Sequence, residues 1–220
     1  MKLNTPDPFS KDRKADADLP VWDVFVRTSH WVVVLAFSLA YLTEDDFLLL
    51  HSWAGYILFM VVVLRILWGF VGSRHARFSD FVTPPSAVID FLKDTAKLRP
   101  KRYIGHNPAG GAMILMLLLM LLLTASSGMA LMAIEEGQGP LAALFKGVPY
   151  YWGGFLENIH ELCANFTLFL VFIHVSGVLV GSLLHHENLI LAMFTGRKQR
   201  HTVSGQDPQE TQFPSKGRLS

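Results

Sequence analysis

Four long apolar runs separated by polar connections organise this chain of 220 residues. They cover residues 22–42, 47–71, 109–134 and 156–184. A helix needs about 20 apolar residues to cross a bilayer, and "GGAMILMLLLMLLLTASSGMALMAI" meets that length without a charge. A soluble bundle would need a polar face on each helix, and this third run has none. The pattern therefore predicts an all-α, multi-pass membrane protein with a four-helix bundle.

The connections are chemically unequal. Lys2, Lys11, Arg13 and Lys14 precede the first run. Arg74, Arg77, Lys93, Lys97, Arg99, Lys101 and Arg102 lie between the second and third, and Arg197, Lys198, Arg200, Lys216 and Arg218 follow the fourth. The remaining connections are "TEDD" and the 135–155 loop, whose only basic residue is Lys146. An even number of spans with basic tails predicts both termini in the cytoplasm, an asymmetry that the net charge of +1 conceals. The expected organisation is a cytoplasmic segment 1–20, a membrane domain 21–196 and a disordered polar tail 197–220. The first run leads into acidic residues rather than a small-residue cleavage site, so it reads as a retained span.

Two connections carry structure of their own. Prolines open "TPPSAVIDFLKDTAKLRP", in which Val88, Phe91, Leu92 and Ala96 recur at helical spacing. This predicts a short helix on the cytoplasmic membrane surface. The Tyr and Trp residues of "VPYYWGGF" suit the opposite interface. Membrane lipid is thus an expected partner, and nucleic acid is not.

Histidines change the picture. His160 and His174 of the fourth run are fourteen residues apart, which is about 3.9 helical turns and about 21 Å along one face. Cys163, Ala164, Thr167 and Val171 lie between them on that face. With alternating helix directions, His51 matches the outer depth of His160, and His30 matches the inner depth of His174. Two bis-histidine haem sites stacked across the membrane fit these positions. Helix–helix hydrogen bonding is the simpler reading of any one of them. A histidine-based metal or proton transporter is the alternative from another class, although such pathways commonly recruit intramembrane carboxylates. Here Asp23, Glu157 and Glu161 all lie near helix ends. The single Cys163 excludes an internal disulfide, and no C-x-x-C-H is present for a thioether-linked haem.

The blocks "VWDVFVRTSHW", "LLLHSWAGYILFMVVVLRILWGFVGSRHARFSDF", "YIGHNPAGGAM" and "ENLILAMFTGRKQR" resemble, in this order, the bacterial cytochrome b561 and Ni,Fe-hydrogenase b-type cytochrome family. The resemblance covers roughly residues 20–200. It implies a four-helix cytochrome of the bacterial inner membrane with two b haems, ligated at His30, His51, His160 and His174. It further implies electron exchange between the quinone pool and a periplasmic redox protein, either a hydrogenase or a c-type cytochrome. The chain carries no catalytic metal motif of its own, so it reads as an electron-transfer subunit or a component of a quinone oxidoreductase.

Two further residues are candidates. Arg65 follows His51 by fourteen residues, so it shares that face near the inner haem level; pairing with a haem propionate is favoured over snorkelling. His106, in "GHNPAGG", could exchange a hydrogen bond or proton with quinone; alternatively the glycines serve close packing and His106 faces headgroups. His75, His185, His186 and His201 lie outside the matched depths and are expected not to be ligands.

Overall fold

The computed structural model describes residues 19–43, 47–97, 103, 105–185 and 187–198. A two-residue strand β1 (Leu19–Pro20) leads into α1 (Val24–Leu42) and α2 (Leu48–Val71). A 3-10 turn (Arg74–Ala76), a single helical turn α3 (Phe78–Phe81) and α4 (Pro85–Ala96) follow. The chain continues through α5 (Pro108–Glu135), α6 (Trp152–His185), α7 (Leu189–Thr195) and β2 (Arg197–Lys198). Four of these helices, α1, α2, α5 and α6, are long and apolar enough to cross a membrane. They fall on the four expected runs, with α6 starting a turn earlier.

Local chemistry sets the helix ends. Asp23 caps α1 by accepting from the Val26 amide at 2.8 Å, and Asn107 caps α5 by accepting from Gly110 at 2.7 Å. Pro108 and Pro85 occupy first-turn positions of α5 and α4, where a missing amide hydrogen costs nothing. Gly196 ends α7 at φ 79°, a left-handed conformation that glycine adopts without strain.

Packing runs α1 on α2, α2 on α5 and α5 on α6. The helix α6 therefore leans along α5 and reaches α1 and α2 through side chains at mid-height. There Leu168 and Val171 pack on a buried cluster of Ala36, Phe37, Leu58, Val62 and Leu121. Outward faces carry exposed apolar residues such as Leu35, Leu67 and Phe172, the arrangement lipid requires and water does not.

The two described chain ends meet at one end of the bundle. β1 and β2 pair antiparallel, with Leu19 opposite Lys198 and Pro20 opposite Arg197. The Gly196 carbonyl accepts from the amides of Val21 at 2.8 Å and Trp22 at 3.1 Å. Arg27 donates to the Phe194 carbonyl, and Trp31 stacks on the Phe194 ring at 4.2 Å. This clasp and α7 are additions to the expected architecture. α4 forms where the prolines predicted it and packs on α5; Val88 and Phe91 are half-buried, while Leu92 and Ala96 are exposed. Of the expected disordered tail 197–220, Arg197 and Lys198 instead form β2, and the rest, with His201, lies outside the described residues, as does His186.

Close approach between α5 and the 78–81 turn depends on Gly111. A Cβ there would stand 2.6 Å from the Phe81 carbonyl oxygen, a backbone atom that cannot swing aside. Gly111→Ala should destabilise the protein by about 1–3 kcal/mol, the usual cost of overpacking. Gly154→Ala, where a Cβ meets nothing within 4 Å, should leave thermal unfolding in detergent unchanged or slightly raised. Equal melting of both variants with the wild type would contradict this packing.

Candidate functional site

Histidines meet at two levels of the bundle. Near the end opposite the termini, the rings of His51 on α2 and His160 on α6 have centroids 5.9 Å apart. Toward the termini, His30 on α1 and His174 on α6 have centroids 6.5 Å apart. The apolar layer of Phe37, Leu58, Val62, Leu168 and Val171 lies between. The pairs join α6 to α1 and α2, the helices on which it packs least.

The pair far from the termini is oriented by hydrogen bonds. His51 Nδ1 lies 2.8 Å from the Ala40 carbonyl, and His160 Nδ1 lies 2.9 Å from the Thr124 carbonyl. A carbonyl only accepts, so in each neutral ring Nδ1 carries the hydrogen and Nε2 keeps its lone pair. Ser127 Oγ adds a contact to His160 Nδ1 at 3.2 Å. Gly128 makes room for that ring, since a Cβ there would come within 2.7 Å of His160 Cε1. Gly55, on the His51 face of α2, would place a Cβ in open space. At the inner level, His30 Nδ1 is buried without a hydrogen-bond partner. Sequence reasoning did not single out Thr124 and Ser127, although "TASS" is the one polar interruption of the third apolar run.

A polar network closes the termini end. The Asp23 carboxylate accepts from Trp68 Nε1 at 3.0 Å and from the Ser73 hydroxyl, tying the start of α1 to the end of α2. Arg65 is 8% exposed, and both its terminal nitrogens lie 3.4 Å from the Ala76 carbonyl. The arginine is thus neither exposed at a surface nor strongly bonded: two long contacts leave most of its five donors for other partners.

His106 sits at the same end. Its ring lies 4.4 Å from that of Trp22 and 4.8 Å from that of Phe81, and its Nδ1 is buried without a hydrogen-bond partner. Burial, reinforced by the positive charge of Arg65 and Lys198 and by His75 and His174, pushes its pKa down to about 3. The imidazole is therefore neutral at physiological pH, with one nitrogen to donate and one to accept. Of the other histidines, His75 lies 2.9 Å from an Asp80 carboxylate oxygen. Cys163 is a free thiol.

Comparison with known proteins agrees with this architecture. The profile of the family described as prokaryotic cytochrome b561 matches residues 21–196. A probable Ni/Fe-hydrogenase B-type cytochrome subunit of Azotobacter chroococcum mcd 1 is 28% identical, over 88% of this chain and 93% of the relative. Its counterpart from Rhodobacter capsulatus is 27% identical over 81% and 80%. A probable Ni/Fe-hydrogenase 1 B-type cytochrome subunit of Escherichia coli K12 is 30% identical over 64% and 72%. No solved structure matches the chain. Four apolar spanning helices and a family match across nearly all of them lead to one conclusion: this chain belongs to the prokaryotic cytochrome b561 family, whose members are multi-pass membrane b-type cytochromes that transfer electrons through haem b.

Proposed function

We propose that this chain holds two b haems, one above the other, and carries electrons across the membrane between the quinone pool and a redox protein on the far side. The observation that carries the reading is the separation of the paired imidazoles. His51 with His160 would hold one haem and His30 with His174 the other, each ring pair close enough for both imidazoles to reach a shared iron. The pairs stand at 5.9 and 6.5 Å. The Nδ1-to-carbonyl bonds of His51 and His160 favour Nε2 as the ligating atom, the usual arrangement for a metal-bound histidine. The open cradle at Gly55 and the unpartnered His30 Nδ1 fit a large group at each level.

Bound haem supplies the one-electron chemistry. The protein's own contributions are four ligands, an apolar layer that excludes water between levels, and charge. Arg65 would act on the inner level, where a propionate could take its spare donors. The transporter alternative has less support. Among the described residues no three of His, Cys, Asp and Glu converge as a metal ion would require.

Direction follows from charge. The basic connections favour a termini end in the cytoplasm, with the opposite end in the periplasm of a bacterial inner membrane. A quinone bound near the inner level would exchange a hydrogen bond with the neutral His106, a reading supported by its buried free nitrogen between Trp22 and Phe81. Relatives named as hydrogenase subunits make a periplasmic hydrogenase the first partner to test and a c-type cytochrome the second.

Single substitutions separate the two levels. His160→Ala should abolish the outer low-spin signal in the reduced-minus-oxidised spectrum and spare the inner one, and His174→Ala should do the reverse. Both signals at full strength in both variants would end the assignment. In a redox titration, Arg65→Leu should lower the inner midpoint by on the order of 50 mV, the effect of one partly buried charge in a protein medium. An outer midpoint that moves more would reduce Arg65 to a brace for the Arg74–Ala76 turn. His106→Ala should slow quinol-driven haem reduction at least tenfold with an unchanged spectrum; unaltered kinetics would remove quinone from this site.

A further inference from the structure

The turn after α2 brings a histidine and a carboxylate together at the protein surface. His75 Nδ1 lies 2.9 Å from Asp80 Oδ2, and the two side chains are 22% and 25% exposed. Each therefore touches both solvent and protein. Arg74 Nε stands 3.8 Å from the other carboxylate oxygen and is itself 71% exposed.

The pair is held in place from several sides. Arg65 reaches the Ala76 carbonyl, and Arg77 Nε donates to the Gly72 carbonyl at 2.7 Å. Phe81, next to Asp80, is fully buried. On its remaining side the pair meets the backbone of Gly105. A Cβ at that position would stand 3.1 Å from His75 Nδ1 and 3.5 Å from Asp80 Oδ2. The residue after Gly105 is His106, whose ring packs on Phe81 at 4.8 Å. Two adjacent residues of one segment thus face two adjacent residues of another: Gly105 against Asp80, and His106 against Phe81.

We propose that His75 and Asp80 form the proton exit of the quinone site, passing protons between His106 and the cytoplasm. The proposal rests on the quinone reading of His106 and extends it. Oxidation of a quinol to its quinone releases two electrons and two protons. Haem bound at the inner level would be the oxidant, taking the electrons one at a time. Each proton leaves a quinol hydroxyl for the free ring nitrogen of His106, crosses by way of a water beside Gly105 to the His75–Asp80 pair, and is released to solvent. Reduction of quinone runs the same path inward. Burial and the positive charges of Arg65 and Lys198 disfavour a proton that stays there, so it is handed on. On the other face the Trp22 ring covers His106, with Lys198 Nζ 6.0 Å from that ring, which leaves the Gly105 side as the polar way out.

The test uses the haem-loaded, full-length protein and a short-chain benzoquinol as the probe. Asp80→Asn and His75→Gln should each slow quinol-driven haem reduction at least tenfold and raise its solvent isotope effect, with spectrum and midpoints unmoved. Added formate or imidazole should restore the rate, and Asp80→Glu should retain most of it. Independently of turnover, the infrared difference spectrum between oxidised and quinol-reduced protein should contain a carboxylate band that Asp80→Asn removes. Wild-type rates in both variants would overturn the proposal. So would slow rates that weak acids fail to rescue and that Asp80→Glu shares, because the pair would then only brace the turn. His106→Ala separates the two readings. If it keeps the wild-type rate, the quinone site lies elsewhere. If it is slow while Asp80→Asn is not, the site stands and the exit is wrong.

Discussion

An imidazole buried in a membrane bundle is costly wherever a ring nitrogen lacks a partner, because hydrocarbon offers none. Much of this molecule follows from that constraint. At the outer level α1 gives up the Ala40 carbonyl to His51, and α5 gives up the Thr124 carbonyl to His160. The Nδ1 atoms are thereby satisfied, and the two rings, carried by different helices, meet with centroids 5.9 Å apart. The packing of α6 along α5, rather than into the centre of the bundle, is what leaves room for the rings to meet.

The same economy explains the centre of the bundle. Ala36, Phe37, Leu58, Val62 and Leu121 form a dry layer, and Thr167, fully buried within α6, returns its hydroxyl to the Cys163 carbonyl. Among the described residues, much of the polar chemistry gathers at the two histidine levels and at the termini end. At that end a buried arginine, a capping aspartate and a buried histidine gather among Trp22, Trp68 and Phe81.

Most of the architecture was legible because hydropathy acts over whole spans, and no single residue decides it. The fourteen-residue interval from His160 to His174 placed both on one face of a helix, and matched depth alone named His51 and His30 as their counterparts. The structure brings those rings together. What stayed hidden depends on contacts between distant segments. No local pattern connects Asp23 to Trp68 and Ser73, Leu19–Pro20 to Arg197–Lys198, or Gly105 to His75. Arg65 was readable as an interior cation but not as a neighbour of Ala76, because its partner lies on a turn whose path the sequence leaves open. His75, expected only not to be a ligand, gains a role once Asp80 and Gly105 are seen beside it.

The most direct test of the central reading is the amount and spin state of haem in the purified protein. A pyridine haemochrome assay against quantified polypeptide should give two non-covalent b haems per chain. Electron paramagnetic resonance of the oxidised protein should show two low-spin bis-imidazole signals. A single haem per chain, or a high-spin centre at either level in the intact protein, would contradict the two-level arrangement.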